Sequence, residues 1–208
     1  MNRAVISSDR NLDYVFFIPI TSRFWVLRGY RPLVFLVGDA AEWIADPRLR
    51  LALERTRETG AEIYFVPEIE GVRTSTVAQV SRIFAAAAPG VADDDYIIVG
   101  DADMLPLGPW VGGGRNPGKG LQIWYSNAYD QSEYPHWPMC YVGAEARVWR
   151  EVVGCLAHEE RVAGSRPALW EAVEQGLQGA PKDASGAWNW DERLLGGMIA
   201  RWREGRLP

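Results

Sequence analysis

Four short apolar runs, separated by segments of helical pattern, constrain this chain more than any other feature. They are "RAVIS" (3–7), "PLVFLVGD" (32–39), "EIYFVPE" (62–68) and "YIIVGDAD" (96–103). Each is largely β-branched or aromatic without a polar alternation, the pattern of strands buried on both faces of a parallel sheet. Between the second and third runs, "DPRLRLALERTRETG" has Asp46 as N-cap, Pro47 at the first helical position and Gly60 as the stop, which predicts a helix. Between the third and fourth, "TVAQVSRIFAAAAPG" opens with Thr76 and Gln79 in capping-box spacing and puts Val80, Ile83, Phe84 and Ala87 on one face, predicting a second helix. The segment 11–30 is interrupted by Pro19, and the βαβ rhythm makes it a kinked helix. Beyond 103 come a Gly/Pro-rich loop (108–120), two further strands, "LQIWYS" and "MCYVGA", and helical segments near 145–160, 167–178 and 190–203. The expected fold is α/β, a mostly parallel central sheet flanked by helices in a single domain over 1–208.

Composition narrows the function. The chain has 208 residues, enough for one α/β core without disulfides or a structural metal. Its formal net charge of −5 argues against nucleic acid as the main partner. Cys140 and Cys155 have no paired spacing, so neither a disulfide framework nor a zinc site is indicated. "MNRAVISSDR" lacks the apolar core of a signal peptide, and the longest apolar run, "YVFFIPI", falls short of the ~20 residues that span a bilayer. A soluble, cytoplasmic protein is expected. Ten tryptophans are many for this length, and those not needed for packing are candidates for stacking on sugar faces or flat ligands.

Asp101 and Asp103 follow the fourth run directly. They leave the C-terminal end of a buried strand, the edge at which open α/β sheets bind ligands. If the chain stays extended there, residues two apart face the same way. Two carboxylates so close repel unless a cation lies between them. Mg²⁺ or Mn²⁺ suits such oxygen ligands and is commonly completed by substrate phosphates. An isolated D-x-D more often caps a turn; its place after a buried strand is what raises it to a metal and diphosphate site.

At these residues the chain resembles a known family. "YIIVGDADMLPL" is similar to the D-x-D segment of GT-A-fold (Rossmann-like) glycosyltransferases, and the order of elements resembles glycogenin and its relatives over most of the chain. In size it is also similar to the compact glycosyltransferase domains of chlorella viruses. The resemblance implies a transferase that moves a sugar from a nucleotide diphosphate sugar, a UDP-sugar above all, to a glycan or other hydroxyl acceptor. Residues 1–103 would form the nucleotide-binding half and 104–208 the acceptor-binding half. "AVISSDRNLDY" supplies Ser7, Ser8 and Tyr14 where the family places its base-stacking loop, and Arg73 and Arg82 match two basic residues nine apart that contact the diphosphate and sugar. Asp101, Ala102 and Asp103 would meet the donor, with Asp101 and Asp103 as ligands of Mn²⁺ or Mg²⁺. "WNWDERLLGGMI" aligns Asp191 and Glu192 with an acid-amide pair beside the donor sugar, Asp191 at the acid, and the glycogenin-like layout favours retention. One departure is the histidine that completes the metal shell in many relatives. "ARWREGRLP" carries none, and His136 and His158 lie elsewhere, so waters would finish the shell. His136, Trp137, Trp188 and Trp190, in Gly/Pro-rich polar surroundings, are expected to wall the acceptor site.

Two other readings stand beside this one. A haloacid-dehalogenase-like phosphatase also has an apolar strand followed by D-x-D, but after its first strand rather than its fourth. A non-catalytic carbohydrate-binding module would explain the tryptophans but not a buried strand aimed at two acids.

Overall fold

The four apolar runs become adjacent parallel strands in a computed structural model that describes residues 1–108, 120–129, 137–155, 168–182 and 189–205. They are β1 (Asn2–Ser8), β2 (Arg31–Val37), β3 (Glu62–Val66) and β4 (Tyr96–Val99). With β5 (Leu121–Ile123) and β6 (Val142–Glu145) they form a six-stranded sheet in the order β3-β2-β1-β4-β6-β5. Pairs β1–β2, β2–β3 and β1–β4 are parallel, but β6 pairs antiparallel with both β4 and β5. The sheet is therefore mixed rather than mostly parallel. An apolar run has the same composition in either direction, so its orientation leaves no local signal. The reversal positions the site, because β6 begins beside the end of β4: Tyr141 N–H donates to the Val99 carbonyl at 2.8 Å.

The period of two is visible in burial. Ala4, Ile6, Val34, Leu36 and Ile98 point to one face, where they pack with Trp25, Trp43 and Leu53. Val5, Leu33, Phe35, Ile97 and Val99 point to the other, packing with Val80, Ile83, Trp149 and Leu195. Helices α1 (Leu12–Val15), α2 (Ile18–Leu27), α3 (Ala40–Ala45) and α4 (Pro47–Glu58) contribute to the first layer. The second contains α5 (Thr74–Ser81), a 3₁₀ turn (Arg82–Ala87), α6 (Ala146–Val153), α7 (Ala168–Gly176) and α8 (Trp190–Glu204).

Local signals account for several boundaries. The Asp46 side chain accepts from Arg48 N–H at 2.8 Å, Pro47 opens α4, and Gly60 follows it at φ +81°, a conformation glycine adopts without a Cβ clash. Pro19 divides the segment 11–30 into α1 and α2 and sits in the first turn of α2, where its missing N–H costs nothing. Helix α3 was not expected, although Asp39 and Glu42 form a capping box at its start. The second predicted helix starts earlier than Thr76: α5 begins at Thr74, with Arg73 at the N-cap and no side-chain cap. The Thr74 hydroxyl instead donates to Asp9 at 2.8 Å, so the start of α5 is set by a long-range contact. Among the described residues no helix is long and apolar enough to cross a membrane.

At the opposite edge of the sheet from the β-strand C-termini, Arg3 Nε donates to Asp95 Oδ2 at 2.7 Å and Arg3 Nη1 to Glu62 Oε2 at 2.9 Å. Both Arg3 and Asp95 are buried. Removing one member of a buried pair leaves the other charged and desolvated, so Asp95→Ala is expected to lower stability by ~3–5 kcal/mol in urea unfolding. A loss below ~1 kcal/mol, the usual value for exposed pairs, would show that water already solvates Arg3.

Candidate active site

The cleft forms where β1 and β4 end. Gly100 N–H donates to the Val5 carbonyl at 3.0 Å, so the chain leaving β4 runs alongside the last residues of β1. It does not stay extended. Residues 102 and 103 form a turn, and Met104 N–H donates to the Asp101 carbonyl at 3.3 Å. The turn is held from α2, whose Thr21 hydroxyl donates to the Ala102 carbonyl at 2.6 Å. Ala102 is buried, Asp101 is about one-third exposed and Asp103 is open to solvent. The turn replaces the expected alternation of an extended strand, yet both carboxylates open into the same cleft of about 530 Å³.

Arg82 organises that cleft. Its side chain is buried; Nη1 donates to Asp101 Oδ1 and to the Gly100 carbonyl, and Nη2 donates to Asp191 Oδ2 at 2.6 Å. Its Nε is buried and has no hydrogen-bond partner among the described residues. Burial opposes the charge on Arg82, but the charges of Asp101 and Asp191 outweigh that effect and raise its pKa above the ordinary arginine value. Asp191, only 1 % exposed, and Glu192 stand in the first turn of α8, where the helix dipole favours acids. Glu192 Oε1 accepts from the Tyr129 hydroxyl at 3.1 Å and from Met139 N–H at 3.4 Å. Burial, together with the charge of Glu192, pushes the Tyr129 phenol up to about 12. Burial and the charge of Asp101 push the Cys140 thiol up to about 11. Both groups are therefore neutral near pH 7.

Ser7, Ser8, Tyr14, Arg82, Asp101, Ala102, Asp103, Asp191 and Glu192 all line this one cleft. Other expected residues do not. Arg73 is exposed at the N-cap of α5 and outside the lining. Trp137 and Trp190 pack half-buried against the core, and Trp190 Nε1 donates to the Gly176 carbonyl at 3.2 Å, so neither walls the cleft. His136, His158 and Trp188 lie outside the described residues.

Sequence reasoning missed Asp9, Gln79, Tyr129, Cys140 and Asn189, which also line the cleft. Asp9 was within reach, since it follows Ser8 at the same strand end. Gln79 was too, because it precedes Arg82 by three residues, one helical turn. Cys140 arrives because β6 runs backwards and begins at this edge, while Tyr129 follows the end of β5, which runs the same way as β4.

Among the described lining residues there are five carboxylates (Asp9, Asp101, Asp103, Asp191 and Glu192) and one cationic side chain, Arg82. A cleft of this charge attracts cations and repels a bare diphosphate. Asp101, with Oδ1 engaged by Arg82, and solvent-open Asp103 offer the hard oxygen donors that Mg²⁺ and Mn²⁺ prefer. Among the described residues no group of three or more His, Cys, Asp or Glu is arranged to hold a metal alone. A divalent ion would thus share its shell with water or ligand oxygens, as Mg²⁺ commonly does.

No family model matches this chain, and no curated protein matches it in sequence.

The Arg82 bridge has a measurable signature. Arg82→Met leaves Asp191 buried and unpaired and is expected to cost ~3–5 kcal/mol. The double variant Arg82→Met/Asp191→Leu should recover most of that loss in urea unfolding, because it removes both buried charges together. Additive losses in the double variant would mean that the two residues are not coupled.

Proposed function

We propose that this chain is a glycosyltransferase that moves a sugar from a nucleotide diphosphate sugar, a UDP-sugar above all, to a hydroxyl acceptor. The observation that carries the reading is the charge of the cleft: five carboxylates and a buried arginine at the ligand-binding edge of an α/β sheet, with Tyr14 on the same wall. A diphosphate binds there only if a divalent cation offsets those carboxylates. Asp101 and Asp103 would hold that cation, and when bound it supplies charge for the departing diphosphate.

The remaining roles belong to the chain's own residues. Tyr14 offers an aromatic face to the base. Arg82 aims Asp101 by its hydrogen bond and fixes Asp191 against the opposite wall. Because Asp191 is committed to Arg82, Glu192 is the acid assigned to the reacting centre. It either takes the proton of the acceptor hydroxyl, which inverts the anomeric carbon, or stabilises positive charge on the sugar, which accords with the retention favoured by the glycogenin-like layout. Tyr129 and Met139 N–H orient its carboxylate.

Titration calorimetry with UDP and UDP-sugars tests the metal. Binding in the presence of Mn²⁺ is expected to disappear in EDTA, and Asp103→Asn should weaken metal-dependent binding and turnover together. Equal affinity with and without EDTA overturns the assignment, and release of phosphate from a simple phosphomonoester without sugar transfer would favour a phosphatase.

Steady-state kinetics separate binding from chemistry. Glu192→Gln should lower turnover by ~10²–10⁴-fold while leaving donor affinity nearly unchanged. Asp191→Asn is expected to lower stability as well as turnover, since it weakens the Arg82 bridge. Unaltered turnover in Glu192→Gln would return that residue to a structural role.

A further inference from the structure

Helix α2 is apolar on both sides. Its inward face, Ile18, Thr21, Ser22 and Trp25, is buried against the sheet. On the outward side Phe16, Ile20, Phe24 and Leu27 fall within about 80° of arc at 100° per residue. Phe16 is 65 % exposed and Leu27 66 %. A helix on the outside of a sheet ordinarily presents polar residues to water; one that is apolar all round has a second apolar neighbour. The patch continues onto the segment after the D-x-D turn. Arg28 Nε donates to the Pro106 carbonyl at 2.9 Å and Nη2 to the Leu107 carbonyl, which fastens Leu107, 61 % exposed, beside the end of α2.

The charges around this patch identify its neighbour. From residue 14 to residue 38 the chain has no Asp or Glu but carries Arg23, Arg28 and Arg31. Arg23 is exposed and borders the outward arc on the Phe16 side, about 20° beyond it. A groove of about 550 Å³ between α2 and α4 sets Arg23 and Arg55 over the apolar side chains of Ile20 and Phe24, and Glu58, the one acid in its wall, is paired with Arg55 at 2.9 Å. With Arg55 committed to Glu58, Arg23 is the groove's cation, and an arginine beside Ile20 and Phe24 matches a phospholipid, with phosphate at Arg23 and acyl chain against the apolar side chains. The chain as a whole carries a net charge of −5, so an anionic bilayer favours the side on which Arg23 stands without a carboxylate of its own stretch, 14–38, beside it.

The geometry points to α2 as a peripheral membrane-docking surface that seats Phe16, Ile20, Phe24 and Leu27 in the interface of an anionic phospholipid bilayer. Thr21, on the same helix, holds the Ala102 carbonyl of the D-x-D turn, so docking would place the cleft close to the membrane. The inference stands whether or not the cleft transfers sugar.

Vesicle co-sedimentation of the full chain tests it, with phosphatidylcholine vesicles that contain or lack phosphatidylglycerol. Binding is expected on the anionic vesicles and should fall in high salt. Arg23→Glu reverses one charge and should lower the partition coefficient by about thirtyfold. Phe16→Ser and Leu27→Ser should each lower it by about tenfold. These positions are solvent-exposed, so melting temperatures should stay unchanged and confirm that the variants fold. The proposal is overturned by no binding to anionic vesicles at low salt, by binding that Arg23→Glu leaves unaltered, or by a concentration-dependent dimer in sedimentation velocity that Leu27→Ser dissolves.

Discussion

The guanidinium of Arg82 lies buried between two carboxylates that the chain supplies 19 and 109 residues further on. A buried ion network of this kind adds little net stability, because desolvation offsets much of the Coulombic gain. What it fixes is relative position: the buried charges of Arg82 and Asp191 are tolerable in the interior only while they are paired, and Arg82 also holds the partly exposed Asp101. The turn after β4 and the first turn of α8 are therefore held as facing walls of one cleft. The same bridge explains why Asp191 is almost fully buried although it opens a helix at the mouth of a ligand site.

Around this bridge the cleft keeps a strong excess of negative charge. The dipole of α8 offsets part of it at Asp191 and Glu192, and backbone or hydroxyl donors reach Glu192. Tyr129 and Cys140 lie close to the acids and stay protonated, since ionising either would add another charge in a partly desolvated site. Such a cleft is prepared for a cation more than for an anion. The Nη groups of the arginine are already directed at Asp101, Asp191 and the Gly100 carbonyl.

The D-x-D residues reach the cleft for a different reason than strand alternation implies. A strand would aim both side chains one way by its pleat; here the chain turns at Ala102, whose carbonyl is held by Thr21, and the turn brings Asp101 and Asp103 to the same opening. Arg73 shows the opposite case. Its nine-residue spacing from Arg82 matches a motif, but it caps α5 in solvent while Arg82 is buried in the cleft wall. Trp137 and Trp190 sit in polar, glycine-rich sequence that reads as loop, yet both find core to pack against.

The sequence by itself determined the four parallel strands, the start and end of α4, and that Asp101 and Asp103 directly follow a buried strand, but not α3 or the start of α5. These properties follow from local rules: the period-two pleat, the helical turn, an aspartate before a proline, a glycine after the last turn. Only the tertiary structure decided the reversed direction of β6, the turn at Ala102, the pairing of Arg82 with Asp191, and the arrival of Tyr129 and Cys140 beside Glu192. Each depends on which distant segments meet, and that choice is made by the summed burial of many residues and by the cost of leaving a buried charge unpaired. Neither quantity is written in any short stretch of the chain.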